Sequence, residues 1–427
     1  MLSDLPRNSR ITLLLEPCSS VLSCILMFYA ALYMQGNGLD ARQIGLIATI
    51  GAVSGLANQF LAAPITNRVG RRRTLLLFSI ICWSVPLLLW AVASGFALFL
   101  VAAVVFSFAR ITSVAWYCVA TEDVADDQKP RVFGVLFVIA SLGGMATAFG
   151  GPVLDKFGLV PSLRFLYAAA FVIMTTMFVV RHWLLTETGA GAKLNGLHAG
   201  ATWAQDFRRH LAVVARTARD AEFLRLTAVY VLVNFAMGMG FVQVLFVNNV
   251  LKLSMTEISL LPPVAAVAAI VLYRFALPRL GADNERRALW VSLLVLAAGT
   301  FLLALLPARR LGLVLLALAL AAGGSYMYGV CINAALNNRM GLLHKADLFS
   351  AVQLLSAAAA IPAGYVAGSA FTLNPRLSLV LIGLVLLVAA AVTVPALERG
   401  RTRDEHGLGL APELSPEGRI GPVEPAG

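Results

Sequence analysis

Charge is scarce in this sequence. Of its 427 residues only 13% are Asp, Glu, Lys or Arg, about half the roughly 25% carried by soluble proteins. A water-soluble fold of this size could not cover its surface with so few charges, which excludes an ordinary soluble enzyme and a disordered chain. Cysteine and histidine are also rare, five of each. Cys18, Cys24, Cys82, Cys118 and Cys331 all fall in apolar stretches. They read as small buried hydrophobes, with neither a disulfide framework nor metal-ligand spacing. The histidines, His182, His198, His210, His344 and His406, lie at the edges of apolar runs, in loops or in the tail. There is no H-E-x-x-H, no phosphate-binding P-loop and no pair of carboxylates within an apolar run. The expectation is therefore no enzyme, no ATP-driven pump, no metal and no cofactor.

Apolar residues are what the chain has in excess: 59% of it is hydrophobic and mean hydropathy is +0.82. A helix needs about 20 apolar residues to cross the hydrocarbon core of a bilayer, and twelve such runs can be read. They lie near 11–34, 44–65, 74–93, 97–119, 131–151, 162–185, 223–247, 257–277, 288–306, 311–333, 346–371 and 376–397. The first is too long for the apolar core of a signal peptide and is expected to stay in place. Lys and Arg set the orientation. With the central loop and the tail set aside, the segments on the N-terminal side carry 14 basic residues against 7 on the other side, which predicts cytoplasmic termini. The net charge of +11 then belongs to one membrane face, and nucleic acid is not an expected partner.

The longest interruption divides the runs six and six. Residues 1–185 read as one six-helix bundle, 186–222 as a cytoplasmic central loop, 223–397 as a second bundle and 398–427 as a disordered tail rich in Pro, Gly and Glu. The loop opens Gly/Ala-rich and continues into an amphipathic stretch. Trp203, Phe207, Leu211, Val214 and Ala218 share one helical face and Arg208, Arg209, Arg216 and Arg219 crowd another, a pattern that suits a helix on an anionic leaflet or a solvated linker. The halves echo each other weakly. Arg68-Val69-Gly70 before Arg71-Arg72 after the second run is matched by Arg279-Leu280-Gly281 before Arg286-Arg287 after the eighth.

Twelve runs, a mid-chain loop and this basic loop together resemble the major facilitator superfamily of secondary transporters. The family pattern Gly-x-Leu-Ala-Asp-Arg-x-Gly-Arg-Arg falls on Ala63 to Arg72. Arg68, Gly70, Arg71 and Arg72 match, while Ala63 stands for the Gly and Asn67 for the Asp. Glu122-Asp123 with Arg131 resembles the family's acidic loop into helix 5. Gly150-Gly151-Pro152 resembles, in part, its Gly/Pro-rich helix 5 end. The resemblance implies an all-α membrane protein of two six-helix bundles rocking about a midplane site. It places Asn67, Arg68, Gly70, Arg71, Arg72, Glu122, Asp123 and Arg131 at a cytoplasmic gate, and it implies that helices 1, 4, 7 and 10 line the cavity.

A charge inside a bilayer is costly and faces a cavity or a partner. Arg110 is the one basic residue deep within a run, and Ser107, Arg110 and Tyr117 fall on one side of the fourth helix. No acid lies as deep; Glu16, one turn inside the first helix, is the candidate for proton coupling, with snorkelling to the surface as the alternative. In the second half Tyr230, Asn234, Tyr326 and Asn333 add aromatic and amide groups suited to a pocket or to interhelical packing. The expected function is proton-coupled secondary transport of a small organic solute, with export of amphipathic or drug-like compounds favoured, by a monomer in a bacterial inner membrane. Two alternatives stand beside it: transport of an organic anion or nutrient held by Arg110, and a non-transporting sensor or assembly partner that keeps the fold.

Overall fold

A computed structural model describes residues 4–125, 128–189, 221–275, 285–339 and 345–406. The amphipathic stretch at 203–218 and the loop at 279–281 lie outside these. Among the described residues the chain is helical, and twelve helices are long and apolar enough to cross a membrane. They are α1 (Arg7–Gly36), α2 (Ala41–Ala62), α3 (Arg71–Val92), α4 (Phe96–Thr121), α5 (Gly134–Phe157), α6 (Leu159–Leu184), α7 (Phe223–Asn249), α8 (Met255–Leu272), α9 (Arg286–Leu305), α10 (Leu311–Asn333), α11 (Val352–Leu373) and α12 (Pro375–Thr393). The twelve runs of the sequence correspond to these one for one. The helix of α2 continues to Val69. That of α12 continues to His406, into the stretch read from the sequence as the start of the tail.

Helices are the expected form because each satisfies its own backbone hydrogen bonds where no water can. Their ends follow local chemistry. Asp40 begins α2 with a capping box: its side chain accepts from the Gln43 amide at 2.7 Å and the Gln43 side chain accepts from the Asp40 amide at 3.1 Å. Ser254 and Glu257 do the same for α8. The gap of three residues between α3 and α4 is possible because Gly95 adopts φ +81°, a left-handed conformation costly for any residue with a Cβ. Gly70, at φ +91°, turns the chain equally sharply between α2 and α3.

Alternate helix ends define two faces, an N-terminal face from which α1 starts and a far face where it ends. The halves, α1–α6 and α7–α12, meet in a seam at the far face. Gly364 of α11 lies so near α2 that a methyl there would fall 2.6 Å from the Gly45 carbonyl oxygen. Gly151 of α5 packs on α8 so closely that a methyl would fall 2.5 Å from the Met255 carbonyl oxygen. Polar links run along the same seam. The Tyr365 amide donates to Thr49 Oγ1 at 3.0 Å, and Arg42 donates to the Tyr365 hydroxyl at 2.9 Å. Asp155 of α5 accepts from the Met255 and Thr256 amides at 3.0 and 2.8 Å, capping α8 from the other half. Below the seam, Tyr33, Trp90, Phe99 and Tyr167 pack ring on ring at 5.1–6.2 Å between centroids. The Tyr33 hydroxyl donates to the Trp90 carbonyl at 2.7 Å. Each ring pair contributes about 0.5–1.5 kcal/mol beyond its area.

Candidate functional site

Between the halves lies a cavity of about 990 Å³ that begins under the far-face seam. Its N-half wall comes from α1 to α4 with Tyr167 of α6, and its C-half wall from α7, α8, α9, α10 and α12. The surface is apolar and aromatic, with Phe28, Trp83, Trp90, Phe106 and Phe241 prominent. Ser107, Ser113, Gln243, Thr300 and Ser325 add neutral polar groups, and among the described residues Arg110 is the one charged residue of the wall.

The helices break where they meet this space. α4 loses its regular turn at Ser107–Phe108, two residues before Arg110. α7 breaks between Gly238 and Phe241, and α3 passes through a π-turn at Ile80–Ser84 that includes Trp83. Such irregularities free backbone groups, and in a membrane they occur where protein or a water-filled cavity covers them. At the α4 break Ser107 Oγ accepts from the buried Asn58 amide at 2.7 Å, tying α4 to α2. The Arg110 chain passes Gly55 of α2, where a methyl would stand 3.6 Å from its Nε. The side chain is exposed into the cavity, about 21 Å along α4 from Phe96 at 1.5 Å per residue.

Of the residues named from the sequence for the cavity, Ser107 and Arg110 form its wall; Met237 and Phe241 of α7 face them from the other half. Tyr117 lies two turns nearer the N-terminal face than Arg110, half exposed and outside the wall. Tyr230 donates to Gln353 of α11 at 2.7 Å, and Asn234 turns its amide back to the Tyr230 carbonyl at 2.8 Å. Asn333 does likewise to Gly329 at 2.7 Å, and Tyr326 is not part of the wall although Ser325 is. The cavity reaches from the seam to about mid-depth, so the side chains nearer the N-terminal face fall below it.

Glu16 also lies off the cavity, inside the N-terminal half. Trp116 Nε1 donates to its carboxylate at 3.0 Å, and it interacts electrostatically with Arg181 of α6. Arg181 is buried, donates to Ser79 Oγ at 3.1 Å and lies over the Phe178 ring at 5.3 Å. The sequence reading passed over Arg181 because a cation in the last turn of a span resembles a snorkelling one. The signal that marks it is its spacing of three from Phe178 on the packed side of α6.

At the N-terminal face Arg71 pairs with Glu122 at 3.2 Å. Thr188 Oγ1 donates to Glu122 at 2.5 Å. Burial pushes the Glu122 carboxyl up, but the hydrogen bonds from Thr188 and Arg71 outweigh it and hold the group below the ordinary glutamate value. Glu187, absent from the sequence reading because it sits in a loop, accepts from the Arg71 and Arg72 amides at 3.0 and 3.2 Å. It therefore places a carboxylate on the N-terminus of α3, where the helix dipole favours one. Arg72 Nε donates to the His182 carbonyl at 2.9 Å. Asp123 accepts from Asn8 at 3.1 Å and from the Gly189 amide at 3.2 Å. Arg68 is exposed, and the side chains of Asn67 and Arg131 lie outside the described set. The network thus ties α3, the end of α4 and the segment after α6 within one half.

The sequence profile of the Major Facilitator Superfamily matches residues 18–346. The chain belongs to this superfamily. It is a membrane transporter of the major facilitator type. No curated relative matches the sequence. Among solved structures it is similar to a proton-dependent oligopeptide transporter, at 14% identity over 92% of this chain and 99% of the other with a TM-score of 0.67. It is similar too to a bacterial homologue of the human lysosomal transporter Spinster in an inward-facing, unoccupied conformation, at 15% identity over 93% and 98% with a TM-score of 0.66. The nucleoside transporter NupG aligns at 13% identity over 93% and 99% with a TM-score of 0.63. At these identities the likeness is one of fold.

Proposed function

We propose that the protein is a proton-coupled secondary transporter that exports a small organic solute across a bacterial inner membrane by alternating access, with both termini in the cytoplasm. The observation that carries this reading is the cavity between the halves beneath the far-face seam. With the charge bias placing the N-terminal face inside, the seam is an outer gate and the structure is closed to the outside. The largely apolar wall supports an amphipathic cargo. Glu16 is the coupling group of this proposal. It sits on α1, beside the α4 that carries Arg110, and its contacts with Trp116 and Arg181 give a proton on its carboxylate a route to helix packing.

Purified protein in liposomes tests the reading. Ligands found by thermal-shift screening of metabolites and drugs are loaded on one side, and exchange and gradient-driven movement are followed. Exchange of a bound ligand, with accumulation driven by an opposed proton gradient, is expected. Ligand binding without any exchange would instead favour a sensor or assembly partner.

A further inference from the structure

Arg110 stands in an unusual position electrically. Among the described residues it is the one charge on the cavity wall, and no hydrogen bond or ion pair engages its guanidinium, which lies near mid-depth. A cation at that depth is costly unless a partner or a cavity receives it. Acids elsewhere in the N-terminal half do not offset it. Glu16 is held by Trp116 and faces Arg181, Glu122 is paired with Arg71, and Asp155 caps α8 at the far face. The counter-charge is therefore left for whatever enters the cavity.

Resting on the transporter reading, we propose that the ligand of this cavity is an amphipathic monoanion whose carboxylate, or similar oxyanion, pairs with Arg110. Its apolar body lies against Trp83, Trp90, Phe106 and Phe241. The planar guanidinium offers a two-pronged match to a carboxylate. A second negative group would lose its hydration and find no partner, which excludes dianions. A zwitterion would bring an ammonium to a wall with no acid, which excludes free amino acids and short peptides. A strongly polar neutral molecule would leave most of its hydrogen-bonding groups unmet on so apolar a surface. The volume, near the upper end of the roughly 300–1,000 Å³ of small-molecule sites, accommodates a body of several rings or a long chain.

Matched triples test this directly: a carboxylate, its primary amide and the corresponding primary amine on phenylbutyl, naphthylmethyl and decyl bodies. Thermal shift and equilibrium binding are measured on the purified full chain. The carboxylates are expected to bind most tightly. Arg110→Ala should weaken them by roughly 30-fold or more, and Arg110→Lys should fall between. Amide binding should fall far less than carboxylate binding in both variants, and an unliganded melting temperature close to the parent's shows that they are folded. Preference for amine or amide, carboxylate affinity that survives Arg110→Ala, or no carboxylate binding on any body would overturn the proposal. In liposomes the two readings separate. Exchange of amines or amides would leave the transporter standing and remove the anion class. Arg110-dependent carboxylate binding without exchange would keep the site and remove transport.

Discussion

Glu16 and Arg110 illustrate how little a residue's depth says about its task. Both are ionisable groups within spans, but Arg110 faces open space while Glu16 is held among α1, α4 and α6. A proton on Glu16 would weaken both the Trp116 hydrogen bond and the attraction to Arg181, so its effect must pass through helix packing rather than through contact with cargo. Glu16→Gln keeps an acceptor for Trp116 and removes the titration. Ligand affinity and ligand exchange should persist, and accumulation driven by a proton gradient should be lost. Gradient-driven accumulation equal to the parent's would remove Glu16 from coupling. Glu122 is governed by a different balance. Because its folded-state pKa is depressed, its link to Arg71 and Thr188 contributes above the ordinary glutamate pKa of about 4.3 and is lost as pH falls below that value. Glu122→Gln at neutral pH should mimic the acid side of that titration, and a reporter cysteine near the start of α3 should label faster. An unchanged labelling rate would show that Glu187 alone holds this helix end.

At the scale of elements, the seam and the N-terminal-face network differ in kind. The seam joins α2 to α11 and α5 to α8 through backbone contact that only glycine permits at Gly45, Gly364 and Gly151. The network ties loops within one half and can travel with it as a body. Closing the far face therefore depends on shape, and Gly364→Leu should prevent it. The variant is expected to fold, to expose a reporter cysteine placed at Ser325 in the cavity wall to a membrane-impermeant reagent from the far side, and to lose exchange. Continued shielding from that side would mean that the seam bends around the added bulk. The sequence already carried the helices themselves, since a lipid core demands about 20 apolar residues and the charges stop where it ends. Of the breaks it carried the one in α7, where Gly238 and Gly240 permit bending, but not the one in α4. Nothing about Ser107-Phe108 marks an interrupted helix, as neither Pro nor Gly is there; at the break Ser107 Oγ donates to the Val104 carbonyl at 2.6 Å and accepts from Asn58 of α2. For the same reason the named face of α4 was legible at Ser107 and Arg110 but not at Tyr117, which lies below the cavity. Tyr230 and Asn234 were chosen by residue type, and their side chains are engaged within their own half.

The whole molecule has a direction only once it is placed in a membrane. Fourteen basic residues against seven predict that single reporter cysteines at Asp40 and Lys252 in a cysteine-free background label from outside the cell, and one at His198 from inside. The reverse pattern would invert the map and turn the seam into an inner gate. The pairing of halves was legible from six runs on either side of a long interruption. The conformation was not, because a seam at either face uses the same helices and the same composition, and what distinguishes them is where two backbones touch.

Two of the six tryptophans of this chain, Trp83 and Trp90, lie on the cavity wall, and a third, Trp116, donates its indole hydrogen to Glu16. The fold thereby places native fluorophores at the two places where events are to be read. Filling the cavity should strip water from Trp83 and Trp90 and shift their emission to the blue. Protonating Glu16 should change the intensity of Trp116 with no such shift. With Phe replacing Trp116, the first signal should remain and the second vanish, so that occupancy and protonation could be timed separately in unlabelled protein. Persistence of the pH-dependent signal in that variant would assign it to another indole.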